Sequence, residues 1–207
     1  MGLLNLLIQD PVTFVLLAIP LLYSIIIHEL AHGWVAYRLG DPTAKWLGRL
    51  TLNPLKHLDP IGTLMLFLFG FGWAKPVPIN LENIREQRRG LILVSAAGIV
   101  ANLIFAFLAI FVLRFLSLSP GGTLGTMLYY LAQINIMLAA FNLIPIPPLD
   151  GSKILAGFLP ATFQYWMARF EPYGFFILIG LLYFGVLTPL ITLFRGIILA
   201  IIGLILP

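Results

Sequence analysis

The chain has 207 residues, of which 60% are hydrophobic and 10% charged, and its mean hydropathy is +1.02. These values exclude an ordinary soluble domain, where about a quarter of the residues are charged, and indicate a polytopic helical membrane protein. The formal net charge is +4, but the basic residues lie in short loops between apolar runs, so they indicate membrane orientation rather than nucleic-acid binding.

Apolar runs predict an all-α integral membrane protein, a helical bundle of about four or five spans, because one span needs about 20 apolar residues. The predicted segments, in chain order, are residues 11–39, 61–73, 91–118, 123–144 and 173–194, followed by a short apolar tail at 196–206. A Pro-Gly-Gly turn at 120–122 separates the third and fourth segments. We expect one membrane-embedded domain over residues 1–207, with its core at about 11–160 and a C-terminal span and tail at about 170–207.

Near the end of the first segment, His28, Glu29 and His32 form an H-E-x-x-H pattern. Residues four apart share one face of a helix, so the two imidazoles can bind one metal ion. Ionisable residues inside an apolar run are costly and indicate a functional site. Glu29 is placed to accept a proton from a water that zinc activates. The pattern predicts a zinc hydrolase that works within a membrane; the alternative is a polar helix end at the membrane surface.

A catalytic zinc site takes three protein ligands and leaves one position open for water, so a third ligand is needed. The chain has no cysteine, which excludes a thiolate and leaves a His or a carboxylate. Asp150 follows a proline-rich break after the fourth segment, where it could bind the metal or cap a short helix that runs toward Leu159. His57 is the other candidate, but for a histidine in such a loop a structural role is more common.

The second segment is too short for an ordinary span, is rich in glycine and ends in Lys75-Pro76-Val77-Pro78. We predict that it is a short re-entrant element, since non-helical backbone at such a depth is tolerated where protein or a water-filled cavity surrounds it. If the H-E-x-x-H pattern and Asp150 share one metal, this segment must return to the side from which it entered. With that side in the cytoplasm, every Lys and Arg except Arg114 and Arg195 lies inside, in agreement with the positive-inside rule.

Two motifs together resemble a known family. Residues 142–151, Asn-Leu-Ile-Pro-Ile-Pro-Pro-Leu-Asp-Gly, are similar to the N-x-x-P-x-x-x-L-D-G signature of site-2 proteases, the intramembrane zinc metalloproteases, and they accompany the H-E-x-x-H pattern. The resemblance runs from the first segment to about residue 157. It implies that Glu29 is the catalytic base and that His28, His32 and Asp150 bind one zinc ion per chain. From the length we expect a compact form of the family without PDZ or CBS modules.

Two weaker matches lie between these motifs. Residues 95–102 resemble the family's stretch of small residues that ends in Asn, although Ile99 stands where the family often has Pro. Asn102 would then be catalytic, as a donor to the oxyanion or a group that positions the substrate; the alternative is a hydrogen bond between packed helices. Residues 71–78 resemble the family's strand-like re-entrant loop, whose edge could pair with an extended substrate; the alternative is an interfacial turn.

The sequence therefore predicts a zinc metalloendopeptidase that hydrolyses peptide bonds in or near the transmembrane segments of other membrane proteins. We expect its site near the cytoplasmic face of the cell membrane, no nucleic-acid partner, and room for a regulatory membrane partner. One alternative is a membrane metal transporter, but its polar residues would extend across the bilayer, whereas these cluster at one depth. The other is an inactive binder of transmembrane helices, which the presence of Glu29 disfavours. The sequence sets no oligomeric state.

Overall fold

The computed structural model describes residues 3–70, 72–119 and 121–206. Phe71 and Pro120, which belong to the predicted loop at 71–78 and the predicted turn at 120–122, lie outside the described residues. Within these ranges the elements are helical apart from an isolated β-bridge. In chain order they are α1 (Leu3–Gln9), α2 (Pro11–Arg38), α3 (Thr43–Trp46), α4 (Pro60–Phe69), α5 (Gln87–Phe115), α6 (Thr123–Asn142), α7 (Asp150–Phe158), α8 (Ala161–Tyr183) and α9 (Thr188–Ile205), with 3₁₀ turns at Pro54–Lys56 and Leu81–Asn83.

Four helices of the described chain, α2, α5, α6 and α9, are long and apolar enough to cross a membrane. This confirms the prediction of an all-α polytopic membrane protein. The first of them begins sharply, because the side chain of Asp10 accepts a hydrogen bond from the backbone N–H of Thr13 and Pro11 occupies the first helical position.

Helix α5 lies at the centre of the bundle, where it packs against α2, α6 and α7, while α6 also packs against α9. Small residues at these contacts allow the helix backbones to approach closely. The main cluster of buried residues joins three helices and consists of Ile99, Ala106, Ile136, Ala139, Ala140, Ile198 and Ile202. Together with the contacts of α2 with α5 and α6, this packing fixes the mutual positions of the helices that carry His28, Asn102 and Asn135.

The predicted span at 173–194 is wrong, because the chain is interrupted there between α8 and α9. Gly185 adopts a left-handed conformation with φ of 70°, and Val186 N–H donates back to the carbonyl of Leu181, which ends α8. Pro189 then lies in the first turn of α9. The predicted tail at 196–206 is therefore largely part of α9, and α9 is the candidate span.

The chain folds back on itself across the predicted re-entrant segment, since an antiparallel bridge joins Leu58 and Ala74, which flank it. Its first part is helical. Residues 60–69 form helix α4, because Asp59 caps the N–H of Gly62 at 2.8 Å and Pro60 begins the helix. In the described part of this segment, non-helical backbone follows the end of α4 at Gly70, and Val77 within it donates a hydrogen bond to Glu29 on α2.

Candidate metal centre

His28 and His32 lie one turn apart on α2, as their spacing predicts, and both are buried. Their Nε2 atoms are 3.0 Å apart, and the two rings meet edge to face with centroids 4.6 Å apart. The two imidazoles therefore direct equivalent nitrogen atoms into one small volume.

Asp150 completes a cluster with these two histidines. Among the described residues, the ligand atoms of these three lie close enough together to hold one metal ion. Its Oδ2 lies 3.1 Å from His28 Nε2 and 3.2 Å from His32 Nε2. The alternative of a helix cap fails, because α7 begins at Asp150 itself and the residue in the cap position, Leu149, provides no side-chain bond. Gly151 allows this approach, since a Cβ there would lie only 2.7 Å from the carbonyl oxygen of Ile144.

The opposite nitrogen of each ring bonds to helix α5. His28 Nδ1 lies 2.5 Å from Asn102 Oδ1, and His32 Nδ1 lies 2.6 Å from the backbone carbonyl of Val94. A carbonyl oxygen can only accept, so His32 carries its proton on Nδ1 and has a lone pair on Nε2. Partners of this kind set the tautomer and orientation of histidines that bind metals.

The geometry of the three atoms fits a zinc ion. Ligands about 2.0–2.1 Å from zinc at tetrahedral angles lie roughly 3.3 Å apart, and the observed separations are 3.0, 3.1 and 3.2 Å. The buried Oδ2 of Asp150 accepts no hydrogen bond, although both Nε2 atoms are close to it. Two lone pairs and a carboxylate oxygen that face one another repel, and a cation among them would remove this repulsion.

Helix α5 approaches the histidine pair closely because Gly98 has no side chain. A Cβ on Gly98 would lie 2.5 Å from Cε1 and 2.7 Å from Nδ1 of His28, and it would also overlap Nε2 of His32. Ile99, where the family often has Pro, lies inside α5, which is continuous from Gln87 to Phe115. The stretch of small residues thus supports the metal position by allowing close packing.

Glu29 contacts the non-helical chain at 74–79, which we name the 74–79 segment. Its Oε2 accepts a hydrogen bond from the backbone N–H of Val77 at 2.8 Å. The same segment is fixed at Lys75, whose N–H donates to the carbonyl of His57 at 2.8 Å and whose carbonyl accepts from Arg49 Nη2 at 2.7 Å. The carboxylate of the expected base is therefore oriented by the backbone of the re-entrant element.

Asp41 holds the far end of the same loop. It is buried and accepts hydrogen bonds from the N–H of Thr43 at 3.1 Å, the N–H of Asn80 at 2.7 Å and the amide of Asn83 at 2.8 Å. Burial by itself would raise the pKa of Asp41, but these hydrogen bonds outweigh it and lower the pKa from its ordinary value. An ionised Asp41 therefore ties the C-terminal end of the segment to the end of α2.

The remaining candidates from the sequence lie at different distances from this centre. His57 is not part of the cluster: it is buried in the loop, and its Nε2 lies 2.8 Å from the carbonyl of Thr51. Asn102 contacts His28 through its oxygen and donates from Nδ2 to Asn135 Oδ1 at 2.7 Å. In this arrangement the side-chain oxygen of Asn102 is engaged by His28, one of the three residues of the cluster.

Sequence reasoning missed several polar residues that the structure connects to the site. Asn135 and Ser24 are each 1% exposed and extend the hydrogen bonds of Asn102, and Arg49 is buried although it counted among the loop cations. An Asn and a Ser within apolar runs are a signal that could have found the first two. Arg49 gives no such signal, because basic residues are common in loops on the inner side of a membrane.

Known proteins similar to this chain include several that are named as zinc metalloproteases. A family model described as peptidase family M50 matches residues 118–184, which include Asp150. YwhC of Bacillus subtilis, named as a candidate zinc metalloprotease, is 44% identical over 174 residues, covering 80% of this chain and 78% of YwhC. Rip2 of Mycolicibacterium smegmatis, also named as a candidate zinc metalloprotease, is 31% identical over 174 residues, covering 82% of this chain and 67% of Rip2.

A third relative is the zinc metalloprotease MJ0392 of Methanocaldococcus jannaschii, 28% identical over 157 residues, which are 76% of this chain and 38% of MJ0392. No solved structure matches the chain. The identity to YwhC extends over more than two thirds of both chains, and the M50 model matches the part that carries the Leu-Asp-Gly motif. The chain therefore belongs to peptidase family M50, the site-2 protease family of metallopeptidases.

Proposed function

We propose that this protein is a zinc metallopeptidase that cleaves peptide bonds in or near transmembrane segments of other proteins. The observation that carries this is the convergence of His28 Nε2, His32 Nε2 and Asp150 Oδ2 within 3.2 Å of one another, among helices apolar enough to span a bilayer. These three residues would hold one zinc ion. The names of the relatives as zinc metalloproteases support the choice of zinc.

Bound zinc would supply Lewis acidity, polarising the scissile carbonyl and lowering the pKa of water toward about 7. In the hydrolysis, the oxygen of water adds to the carbonyl carbon, the C–N bond breaks, and one proton of the water moves to the leaving amine. Glu29 would accept that proton and pass it to the amine nitrogen. Its Oε2 is engaged by Val77, which leaves Oε1 for the proton.

The 74–79 segment is suited to hold an extended substrate. Its peptide groups at Lys75 and Val77 are already bonded to His57, Arg49 and Glu29. Successive peptide groups of an extended chain point to opposite edges, so the free edge carries the carbonyls of Pro76 and Pro78. A substrate that pairs there would be unwound, as attack on its backbone requires.

The distribution of charge supports an active site near the cytoplasmic face of the cell membrane. All lysines and arginines except Arg114 and Arg195 fall on the side of the H-E-x-x-H end of α2. The exposed residues Arg85, just before α5, and Arg88 and Arg89, in its first turn, are among them. The buried polar side chains of α2, Ser24, His28 and His32, lie within about two turns of one another instead of along the whole helix, which supports hydrolysis over metal transport.

The test measures zinc content and cleavage in the same purified samples. Native protein should hold about one zinc per chain, His28→Ala and Asp150→Ala should lose it, and His57→Ala should keep it as a matched control. Glu29→Gln should keep zinc but fail to cleave a panel of transmembrane peptides in lipid vesicles. Full zinc content in Asp150→Ala would reject the ligand set, and turnover in Glu29→Gln would reject the base. Zinc flux across the vesicles without any cleavage would favour a transporter.

A further inference from the structure

A row of buried polar side chains leads away from His28 through three helices. Asn102 Oδ1 lies 2.5 Å from His28 Nδ1, Asn102 Nδ2 lies 2.7 Å from Asn135 Oδ1, and Asn135 Nδ2 lies 2.7 Å from Ser24 Oγ. Asn102 is 0% exposed, and Asn135 and Ser24 are 1% exposed. The row therefore starts on α2, crosses α6 and α5, and returns to α2 at the proposed zinc ligand.

Which group donates in each hydrogen bond of this row follows from the end that is farthest from His28 along the row, at Asn135. Asn135 Nδ2 also lies 2.8 Å from the backbone carbonyl of Leu131, which can only accept. Asn135 must therefore turn its NH2 group toward Leu131 and Ser24, and its oxygen toward Asn102. Asn102 must donate to that oxygen and present its own oxygen to His28. His28 is then left with one role at Nδ1, that of the donor.

We propose that Asn135 and Ser24 are positioning residues, which act through Asn102 to keep His28 in its Nδ1–H tautomer with the Nε2 lone pair directed at the metal position. This inference rests on the proposed role of His28 as a zinc ligand. A backbone carbonyl, that of Val94, fixes the same tautomer of His32 directly. For His28 the backbone carbonyl that determines the tautomer is that of Leu131. It acts indirectly, because it orients the side-chain amide of Asn135, which in turn orients that of Asn102.

The row does more than join helices, because the orientation of the Asn102 amide determines which nitrogen of His28 carries the proton. The amide of Asn102 can turn by half a rotation with little change in shape, since its nitrogen and oxygen are similar in size. In the turned state it would offer NH2 to His28 Nδ1, and the ring would have to carry its proton on Nε2, where it blocks metal binding. Asn135 prevents this turn, because its oxygen requires a donor from Asn102. If the row only joined helices, both orientations of the Asn102 amide would serve equally well.

The experiment measures zinc affinity by competition with a chromophoric chelator, and the histidine tautomer by ¹⁵N NMR of zinc-free, histidine-labelled protein at a pH where the rings are neutral. Asn135→Leu should lower zinc affinity by about 10- to 100-fold, the usual effect of losing such a partner, and should give His28 a mixture of tautomers. Ser24→Ala should have a smaller effect in the same direction, and Ser24→Thr, which keeps the hydroxyl, should restore native values. Gln133→Leu, on the same helix but bonded to Arg195, is the matched control and should bind zinc as the native protein does.

Native zinc affinity and an unchanged Nδ1–H tautomer in Asn135→Leu would overturn the proposal. If that variant does not fold, the Ser24 pair decides: equal affinity in Ser24→Ala and native protein rejects the proposal, and a loss that Ser24→Thr restores supports it. His28→Ala separates this inference from the proposed function. If His28→Ala keeps its zinc, the ligand assignment fails; if it loses zinc while Asn135→Leu binds like native protein, only the positioning role fails.

Discussion

The backbone N–H of Val77 donates a hydrogen bond to Glu29 Oε2 over 2.8 Å, although the two residues are 48 positions apart in the chain. The side chain of Val77 is also buried, against the position of Gly33 on the same helix as Glu29. The position of the proposed base therefore depends on the position of the segment that is proposed to hold the substrate. A change that loosens the segment should disturb catalysis while leaving the metal ligands in place.

Arg49→Met tests this coupling. The substitution removes the hydrogen bond to the carbonyl of Lys75, but it also removes a buried guanidinium whose Nε has no partner, so the net change in stability should be about 1 kcal/mol or less. We expect native zinc affinity, faster hydrogen exchange at the amides of Lys75 and Val77, and peptide cleavage slower by about tenfold, as for a misplaced catalytic group.

Lys56→Met, an exposed cation in the same loop, is the control for the loss of charge and should leave exchange and cleavage unchanged. Native exchange rates at Lys75 and Val77 in Arg49→Met would contradict the idea that Arg49 fixes the segment.

Gly98→Ala should abolish zinc binding even though alanine is the better helix former by about 1 kcal/mol. Its Cβ would lie 2.5 Å from His28 Cε1, so either α5 must move away from α2 or the histidine rings must turn. Gly196→Ala is the matched control: this glycine also lies within a helix, and a Cβ there meets no atom within 4 Å. Zinc content by metal analysis, with thermal unfolding of the same samples, should separate the two. A zinc-loaded Gly98→Ala protein would show that the close packing is not required.

Several parts of the fold could be predicted because local pattern determines them. The ends of α2 follow from Asp10-Pro11 and the loop after Arg38, and the spacing of His28 and His32 by itself places both on one face. Asp150 could be linked to them only through a motif, since 118 positions separate it from His32 in the sequence. The structure supplies the distances that bring the three atoms together.

Other features could not be predicted, because they depend on contacts between distant helices. The residues between α8 and α9 are as apolar as the helices on either side. Hydropathy therefore does not reveal that the left-handed Gly185 divides the run at 173–194 into two helices. Ser24 and Asn135 bond to each other but lie 111 positions apart in two different apolar runs, so no local spacing pairs them. Helix α4 was not predicted within the re-entrant segment, because the capping by Asp59 and Pro60 that begins it was not recognised.

Asp41→Asn should destabilise the protein in a way that depends on pH. Folding lowers the pKa of Asp41 below its ordinary value of 3.8, so the ionised carboxylate stabilises the folded state at every pH above that value. The stabilisation is lost as the pH falls through the lower pKa of the folded state. At pH 7 the thermal midpoint of Asp41→Asn should be lower by about 3–6 °C, since a hydrogen bond to a charged group contributes about 1.5 kcal/mol or more.

The measurement compares midpoints of native protein and Asp41→Asn from neutral pH to about pH 3, with the difference expected to shrink below about pH 4. Glu86→Gln removes an exposed carboxylate 3.6 Å from Arg89 and serves as the control, with little expected change at any pH. A difference that is constant with pH would show that Asp41 does not act through its charge.

Backbone N-methylation of a cleaved transmembrane peptide should reveal how the substrate pairs with the 74–79 segment. Pro76 and Pro78 have no N–H, so the free edge of the segment offers carbonyl acceptors and the substrate must supply the donors. Methylation at one residue at a time should lower kcat/KM by about tenfold at two alternate positions near the scissile bond, because each removes one hydrogen bond of about 1.4 kcal/mol. Positions between them, whose N–H groups point away, should tolerate the methyl group, and a methyl group far from the bond is the control. Equal losses at consecutive positions, or no loss at any, would reject pairing along this edge, since only an extended chain exposes its N–H groups with a period of two.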